Sequence, residues 1–236
     1  MAISPILGID SDALPERVLV VGDPGRVEKV GEHLTETQWL GRNREYHSLI
    51  GRYGGTTIAV VSHGVGSAGA GVCFEELCRA GAKRIVRVGS AGGLQPSVTA
   101  GSVVIARAAV REDGLSPKLV PLSYPAVATE ALVHALREAA ASVSVKVHEG
   151  IVLTSDLFYP SEALGSDLPL WQRAGVTAVE MEIATLFVVC GLHGVEAAAV
   201  VAVDGNPLEQ DGGSMDTYDP NQSDVKQAIQ SSIELG

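Results

Sequence analysis

Hydrophobic positions along the chain fall into short blocks whose period switches between that of a strand and that of a helix. Arg17 to Val21 predicts a strand that runs straight into Gly22-Asp23-Pro24. Over Arg26 to Leu34 the pattern changes to a helical face of Val27, Val30 and Leu34. Tyr46 to Tyr53 and Thr56 to Ser62 predict neighbouring strands joined at Gly54-Gly55. A glycine-rich loop, His63 to Ser67, leads into a helix over Ala68 to Ala80, ended by Gly81. Further strands are predicted at Lys83 to Val88, Val103 to Val110 and Gly150 to Thr154, with a helix over Thr129 to Ala141 that turns Leu132 and Leu136 inward. Val179 to Leu192 reads as a helix capped by Gly194, and the very hydrophobic Val195 to Val203 as an interior parallel strand buried on both faces. A loop rich in Gly, Asp and Pro covers Asp204 to Gln222, and Ser223 to Leu235 closes the chain as a helix.

Strands alternating with helices predict an α/β fold, three layers deep, with a mostly parallel or mixed central sheet covered on both sides. The 236 residues suit one such domain, and no repeat or linker divides them. Glu162 to Leu168 and Leu208 to Asn221 are long and polar enough to act as lids.

Composition narrows the function. Apolar residues make up 46% but aromatics only 4%, which suits close-packed helix and sheet layers. With 17 basic against 28 acidic residues the net charge is −11, which argues against a nucleic-acid groove built from clustered Lys and Arg. Cys73, Cys78 and Cys190 lack metal-ligand spacing and read as buried thiols in a reducing compartment. Neither a signal peptide nor an apolar run of about 18–20 residues is present, so a cytoplasmic protein with no membrane contact is expected.

The chemistry is carried by small separated segments. In an open α/β sheet, ligands sit outside the carboxyl ends of the strands. That edge receives Gly22, Asp23, His63, Gly64, Gly89, Ser90 and Asp204. Arg87 stands inside an apolar strand, where its permanent charge needs an anion or an internal acid. Because Arg26 and Arg44 also lie beside small or glycine-rich turns, the favoured reading is a phosphate cradle of forked guanidinium donors, with the Gly89-Ser90 backbone adding more. Gly64-Val65-Gly66 loosely echoes a dinucleotide loop, but no Walker lysine follows and Arg87 stands where an acid would end the next strand.

Glu180 and Glu182 flank Met181 and are either a helix N-terminal cap or acceptors for two sugar hydroxyls, with Met181 packed under the sugar. Phe158 is a stacking surface for a base or a core aromatic, and Asp204-Gly205 is either a simple turn or an acid at the reacting end. His33, His134 and His193 read as structural, and no histidine–acid cluster supports a metal. Taken together, the segments point to an enzyme that uses phosphate to cleave a nucleoside.

With these residues, the chain resembles the nucleoside phosphorylase family that includes the hexameric purine nucleoside phosphorylases and the uridine phosphorylases. The similarity runs from Gly22 to Glu209. It implies phosphate ligands at Gly22, Arg26, Arg87, Gly89 and Ser90, and ribose ligands at Glu180, Met181 and Glu182. Arg44 matches the phosphate arginine that each subunit lends to its neighbour, which implies a homodimer as the minimal active unit and a homohexamer. No cofactor is implied, since inorganic phosphate is the co-substrate. Thr154 to Pro160 looks most like the uridine enzymes, but Glu162 and Leu164 replace their uracil-reading glutamine and arginine. Val203 to Pro207 instead resembles the purine nucleoside phosphorylases of apicomplexan parasites, which makes Asp204 the acid serving purine N7 and a 6-oxopurine nucleoside such as inosine or guanosine the expected substrate. Uridine, methylthionucleosides, a hydrolase reaction and non-catalytic nucleoside binding are the alternatives. Ile6 stands where the family carries a histidine that reaches into the neighbouring subunit and binds the 5′-hydroxyl, and an apolar residue there would pack against a 5′-methylthio group.

Overall fold

The computed structural model describes residues 3–208 and 223–236. In chain order the elements are β1 (Arg17–Val21), α1 (Pro24–Gly31), β2 (Thr35–Asn43), β3 (Tyr46–Tyr53), β4 (Thr56–Ser62), α2 (Ser67–Arg79) and β5 (Arg84–Gly93). They continue as β6 (Val103–Glu112), α3 (Ser116–Leu119), β7 (Ala126–Val127), α4 (Glu130–Ala139), β8 (Val147–Ser155), α5 (Leu168–Arg173) and β9 (Ala178–Glu180). The last three are α6 (Ile183–His193), β10 (Glu196–Gly205) and α7 (Ser223–Leu235). None of the described helices is long and apolar enough to cross a membrane.

One mixed sheet takes up every described strand. β1 lies parallel between β4 and β5, and β3 runs antiparallel between β4 and the edge strand β2. At the other end the pairings β5–β10, β10–β6, β6–β8, β8–β9 and β9–β5 close a ring, with β7 attached to β6. β10 is parallel to β5 but antiparallel to β6, so the interior strand is mixed in its neighbours rather than purely parallel.

Alternation along the central strands sorts side chains between two apolar layers. Val18 and Val20 of β1, with Ala197, Ala199, Val201 and Val203 of β10, pack with Phe74 and Leu77 of α2 and Leu186 of α6. Leu19 and Val21, with Ala198, Val200 and Ala202, face Val27 and Val30 of α1, Val133 and Leu136 of α4, and Ala228 of α7. The sandwich is therefore α/β/α. Its small strand residues allow the helix layers to approach closely.

Local chemistry sets the element ends. Asp23 accepts a 2.9 Å bond from the Gly25 amide and Pro24 occupies the first turn, so α1 starts before its apolar face does. Gly194 ends α6 in the left-handed conformation, φ +66°, as its position past the last apolar residue predicts.

Two expectations are corrected. The run from Val179 is not one helix: Val179 pairs with Gly92 and with Leu153, so residues 178–180 form β9 and the helix begins at Ile183. β5 does not stop at Val88 but continues through Gly89-Ser90-Ala91-Gly92-Gly93, paired with β10. Glycine is needed along this tail. A Cβ on Gly93 would overlap the backbone carbonyl oxygen of Val98, which cannot swing aside as a side chain can. Of the two lid candidates, Glu162 to Leu168 begins in a tight turn, with Gly165 donating to the Ser161 carbonyl at 2.7 Å, and ends at α5. Most of Leu208 to Asn221 lies outside the described residues.

Gly93→Ala should cost about 3 kcal/mol by overpacking, which for a chain of this size lowers Tm by roughly 6–12 °C. Gly205→Ala, where a Cβ meets nothing within 4 Å, should leave Tm within about 2 °C of the parent in the same calorimetric comparison.

Candidate active site

A cleft of about 980 Å³ opens along the carboxyl ends of β1, β5, β9 and β10. At one end it is lined by Gly22, Arg26, Arg87, Gly89 and Ser90, and along its floor by Glu180, Met181 and Glu182. Phe158 and Asp204 line it as well. The residues of five sequence-distant segments thus face one space. Arg44 does not: it sits exposed at the β2–β3 turn, outside the cleft of its own chain.

Arg87 and the two glutamates form the buried polar centre. Arg87 Nη2 pairs with Glu182 Oε2, and Nη1 lies 3.6 Å from Glu180 Oε2. Arg87 therefore does have internal acid partners. Even so, its Nε and Nη1 have no hydrogen-bond acceptor among the described residues. A buried guanidinium with donors left over beside a cleft is suited to an incoming anion. Gly89 makes room for it: a Cβ there would overlap the Arg87 guanidinium. Arg26, at the start of α1, reaches the same region and donates from Nη1 to the Val88 carbonyl at 3.4 Å.

The two glutamates divide their work. Glu180 accepts from the amides of Glu182 (2.8 Å) and Ile183 (3.0 Å) and from the Thr154 hydroxyl (2.5 Å), while Thr154 accepts from the Ala184 amide at 2.9 Å. These bonds satisfy the first amides of α6, so the helix-cap reading describes Glu180. Relieved of capping, Glu182 turns to the Gly66 amide (2.6 Å) and to Arg87. Ser67 Oγ donates to the Met181 carbonyl at 2.8 Å, which fixes the β9–α6 turn against the start of α2.

Protonation follows from burial. Desolvation pushes Glu180 up to about 7, against the pull of Arg87 and with the push of Glu182. Burial works to raise Glu182 too, but Arg87 and the Gly66 amide are among the influences that hold it below its usual range. When the pair holds one proton, it resides on Glu180.

His63 is fully buried behind the phosphate-loop candidates. A Cβ on Gly22 would lie 3.7 Å from its Cε1, and its ring meets Phe74 edge-on at 5.3 Å. Neither ring nitrogen has a hydrogen-bond partner among the described residues. Burial pushes the imidazole down to about 4, so it is neutral near pH 7, and it does not line the cleft itself.

Phe158 is 40% exposed and meets Tyr159 at 4.9 Å, so it presents a ring to the cleft instead of filling the core. Asp204 is buried at the end of β10. The sequence offered no signal for Lys29 or Lys226, which also line the cleft, while the lid candidate Glu162 to Leu168 reaches it through Ser166, Asp167 and Leu168. Glu162 and Leu164 do not line it, and Leu164 is 91% exposed.

Gly89→Ala should displace the Arg87 guanidinium and weaken inorganic phosphate binding by about tenfold or more in calorimetry, with the fold retained by circular dichroism. A second prediction concerns pH. His63, with its folded value below the unfolded 6.5, contributes about 3 kcal/mol that is present above pH 6.5 and lost as pH falls toward 4. Glu180, raised above 4.5, contributes in the opposite sense and gains as pH falls from 7. In Glu180→Gln the opposing gain is removed, so urea unfolding should show a steeper fall in stability from pH 7 to 5 than in the parent.

This geometry can hold an anion at its arginine end, a polar group over Glu182 and an aromatic ring near Phe158. The model of the phosphorylase superfamily matches residues 16–235. The purine nucleoside phosphorylase of Plasmodium falciparum is 43% identical over 211 residues, 89% of this chain and 86% of that protein. The uridine phosphorylase of Haemophilus influenzae is 34% identical over 229 residues, 92% of this chain and 88% of that protein. The crystal structure of purine nucleoside phosphorylase from Toxoplasma gondii in complex with immucillin-H superposes with a TM-score of 0.93 at 33% identity, over 100% of this chain and 94% of that one. Its residue pattern, its fold and the contents of its cleft agree, and the chain belongs to the phosphorylase superfamily.

Proposed function

We propose that the chain catalyses phosphorolysis of purine ribonucleosides, with inosine and guanosine as substrates, giving free base and ribose 1-phosphate. The observation that carries this reading is the single cleft that joins the spare donors of Arg87 to Glu182 and to Asp204. The similarity to the Plasmodium purine nucleoside phosphorylases, 43% and 45% identical, supports it.

Phosphate sits at Gly22, Arg26, Arg87, Gly89 and Ser90 and attacks C1′ of the ribose. The C–N bond breaks with its electron pair moving to the base, and positive charge develops on the sugar. The phosphate dianion stabilises that charge. Glu182 accepts from the ribose hydroxyls, and its bond to Arg87 couples sugar position to phosphate position. Asp204 donates to N7, or accepts from N7 once it is protonated. Phe158 stacks on the base. Positioning matters because free phosphate is a weak nucleophile in water. The reaction so written needs no metal or organic cofactor.

Arg44 completes the phosphate site of a neighbouring copy, which makes a homodimer the active unit and a homohexamer the assembly. Its exposed place outside its own cleft supports this. The reading includes a cytoplasmic role in purine salvage. Purine is favoured over uridine because Glu162 and Leu164 stand clear of the cleft, while Asp204 has a use only when the base presents N7.

Cleavage of inosine should require inorganic phosphate, and turnover that is equal without it would mean a hydrolase. Asp204→Ala should lower kcat on inosine by about 10²-fold or more, and a near-normal kcat would remove Asp204 from the chemistry. A phosphate-dependent assay of inosine, guanosine, adenosine, uridine and methylthioinosine tests the base and the 5′ group. The highest kcat/KM on uridine would overturn the purine assignment.

A further inference from the structure

The N-terminal turn and the tip of the β2–β3 hairpin are fastened to each other and to α2. The turn is closed on itself by Ser4, whose amide donates to the Ile9 carbonyl at 2.9 Å and whose hydroxyl accepts from the Ile9 amide at 2.9 Å. At its crown, Glu76 of α2 accepts from the amides of Ile6 at 3.0 Å and Leu7 at 2.8 Å. The remaining polar group of Ile6, its carbonyl, accepts from Asn43 Nδ2 at 2.7 Å. Asn43 is the residue immediately before Arg44.

The hairpin tip is held on its other side as well. Ser62 Oγ donates to the Glu45 carbonyl at 2.6 Å, and the Tyr46 hydroxyl donates to the Gly69 carbonyl of α2 at 3.1 Å. Between these ties Arg44 keeps a left-handed backbone, φ +53°, which a non-glycine residue holds only where its surroundings dictate it. Among the described residues the Arg44 side chain has no hydrogen-bond or ion-pair partner. Ile6, Asn43, Arg44 and Glu76 all lie outside the cleft. This is an arginine with a strained backbone, held between two ties, whose side chain forms no hydrogen bond or ion pair among the described residues.

We propose that Asn43 and Glu76 are positioning residues that lock the Ile6 turn and the Arg44 tip into one rigid bracket. Through it the phosphate contact and the 5′-end contact offered to a neighbouring copy are presented together. This rests on the reading that Arg44 and Ile6 serve the neighbour's site. Glu76 acts through the two amides it grips, and Asn43 through the carbonyl between them. Loosening either tie disturbs both ends of the neighbour's ligand set, because the turn and the tip share the Asn43–Ile6 bond. Neither residue touches the reacting atoms, so the effect falls on binding.

The experiment is steady-state kinetics on the full chain with inosine and inorganic phosphate. Asn43→Ala and Glu76→Ala should each raise KM for both substrates by about five- to tenfold, with kcat at saturation within about twofold of the parent. Glu76→Gln, which keeps an acceptor oxygen, should restore most of the affinity. The double variant Asn43→Ala/Arg44→Ala should bind phosphate no worse than Arg44→Ala alone, because a positioning residue acts through the group it positions. Additive losses in that cycle would overturn the bracket, as would a lowered Tm with both KM values unchanged. If Arg44→Ala itself leaves the phosphate KM unchanged, the neighbour-site reading fails and the bracket falls with it. If Arg44→Ala raises that KM while Asn43→Ala and Glu76→Ala do not, only the bracket fails.

Discussion

The buried pair of Arg87 and Glu182 is the constraint around which the rest of the centre is arranged. Taking both charges out of water costs several kcal/mol per ion, and their attraction repays it only with well-formed geometry and further hydrogen bonds. The surroundings supply these from several elements. Gly89 leaves room for the guanidinium, the Gly66 amide takes the second oxygen of Glu182, and Ser67 fixes the Met181 carbonyl beside it. An apolar replacement would satisfy the core with less demand, so stability alone does not account for the pair. What the pair provides is a charged donor and a charged acceptor held side by side at the floor of a cleft. That arrangement links the anion end to the polar floor without moving parts.

Glu180 makes this possible while staying out of it. The start of α6 carries amides that need acceptors, and Glu182, at the helix boundary, is the obvious local candidate. Glu180 and Thr154 meet that need from β9 and β8. The break between β9 and α6 is therefore functional: a continuous helix would have spent its own amides internally and placed the two acids about 200° apart around the axis. Two acids one residue apart have different surroundings: burial raises Glu180, while Arg87 and the Gly66 amide are among the influences that hold Glu182 down.

The layers of the fold were legible because alternation is a direct imprint of burial. β1, β3, β4 and α7 fall where their apolar period places them, and β10 reads as an interior strand because both of its faces are covered. β2 was missed because its side chains are largely exposed and polar, so nothing in its pattern marks a strand; it is held by pairing with β3. The glycine tail of β5 read as loop because propensity describes a backbone's freedom and not the close approaches that demand glycine. In the site, Arg87 was legible as a charge out of place in an apolar strand. The separate duties of Glu180 and Glu182 were not, because they depend on Thr154 and Gly66, which lie 26 and 116 residues away from the acids they bind. Lys29 and Lys226 reach the cleft only through tertiary packing.

Net charge and local charge act at different ranges here. A chain of −11 repels anions at long distance, which argues against polyanionic partners. At physiological ionic strength, however, that field is screened beyond about 8 Å. Inside the cleft, water is partly excluded and a guanidinium interacts far more strongly than it would at the surface. On the proposed reading, binding of a small dianion therefore depends on Arg26, Arg87 and the amides around Gly89, and hardly at all on the sum over the sequence. The same reasoning explains why the acids of the cleft do not cancel its arginines. Burial draws Glu180 toward its neutral form, and Glu182 is committed to one side of Arg87 and leaves Nε and Nη1 open. The cleft keeps guanidinium donors open because its negative charges are placed where they orient the cation and do not enclose it.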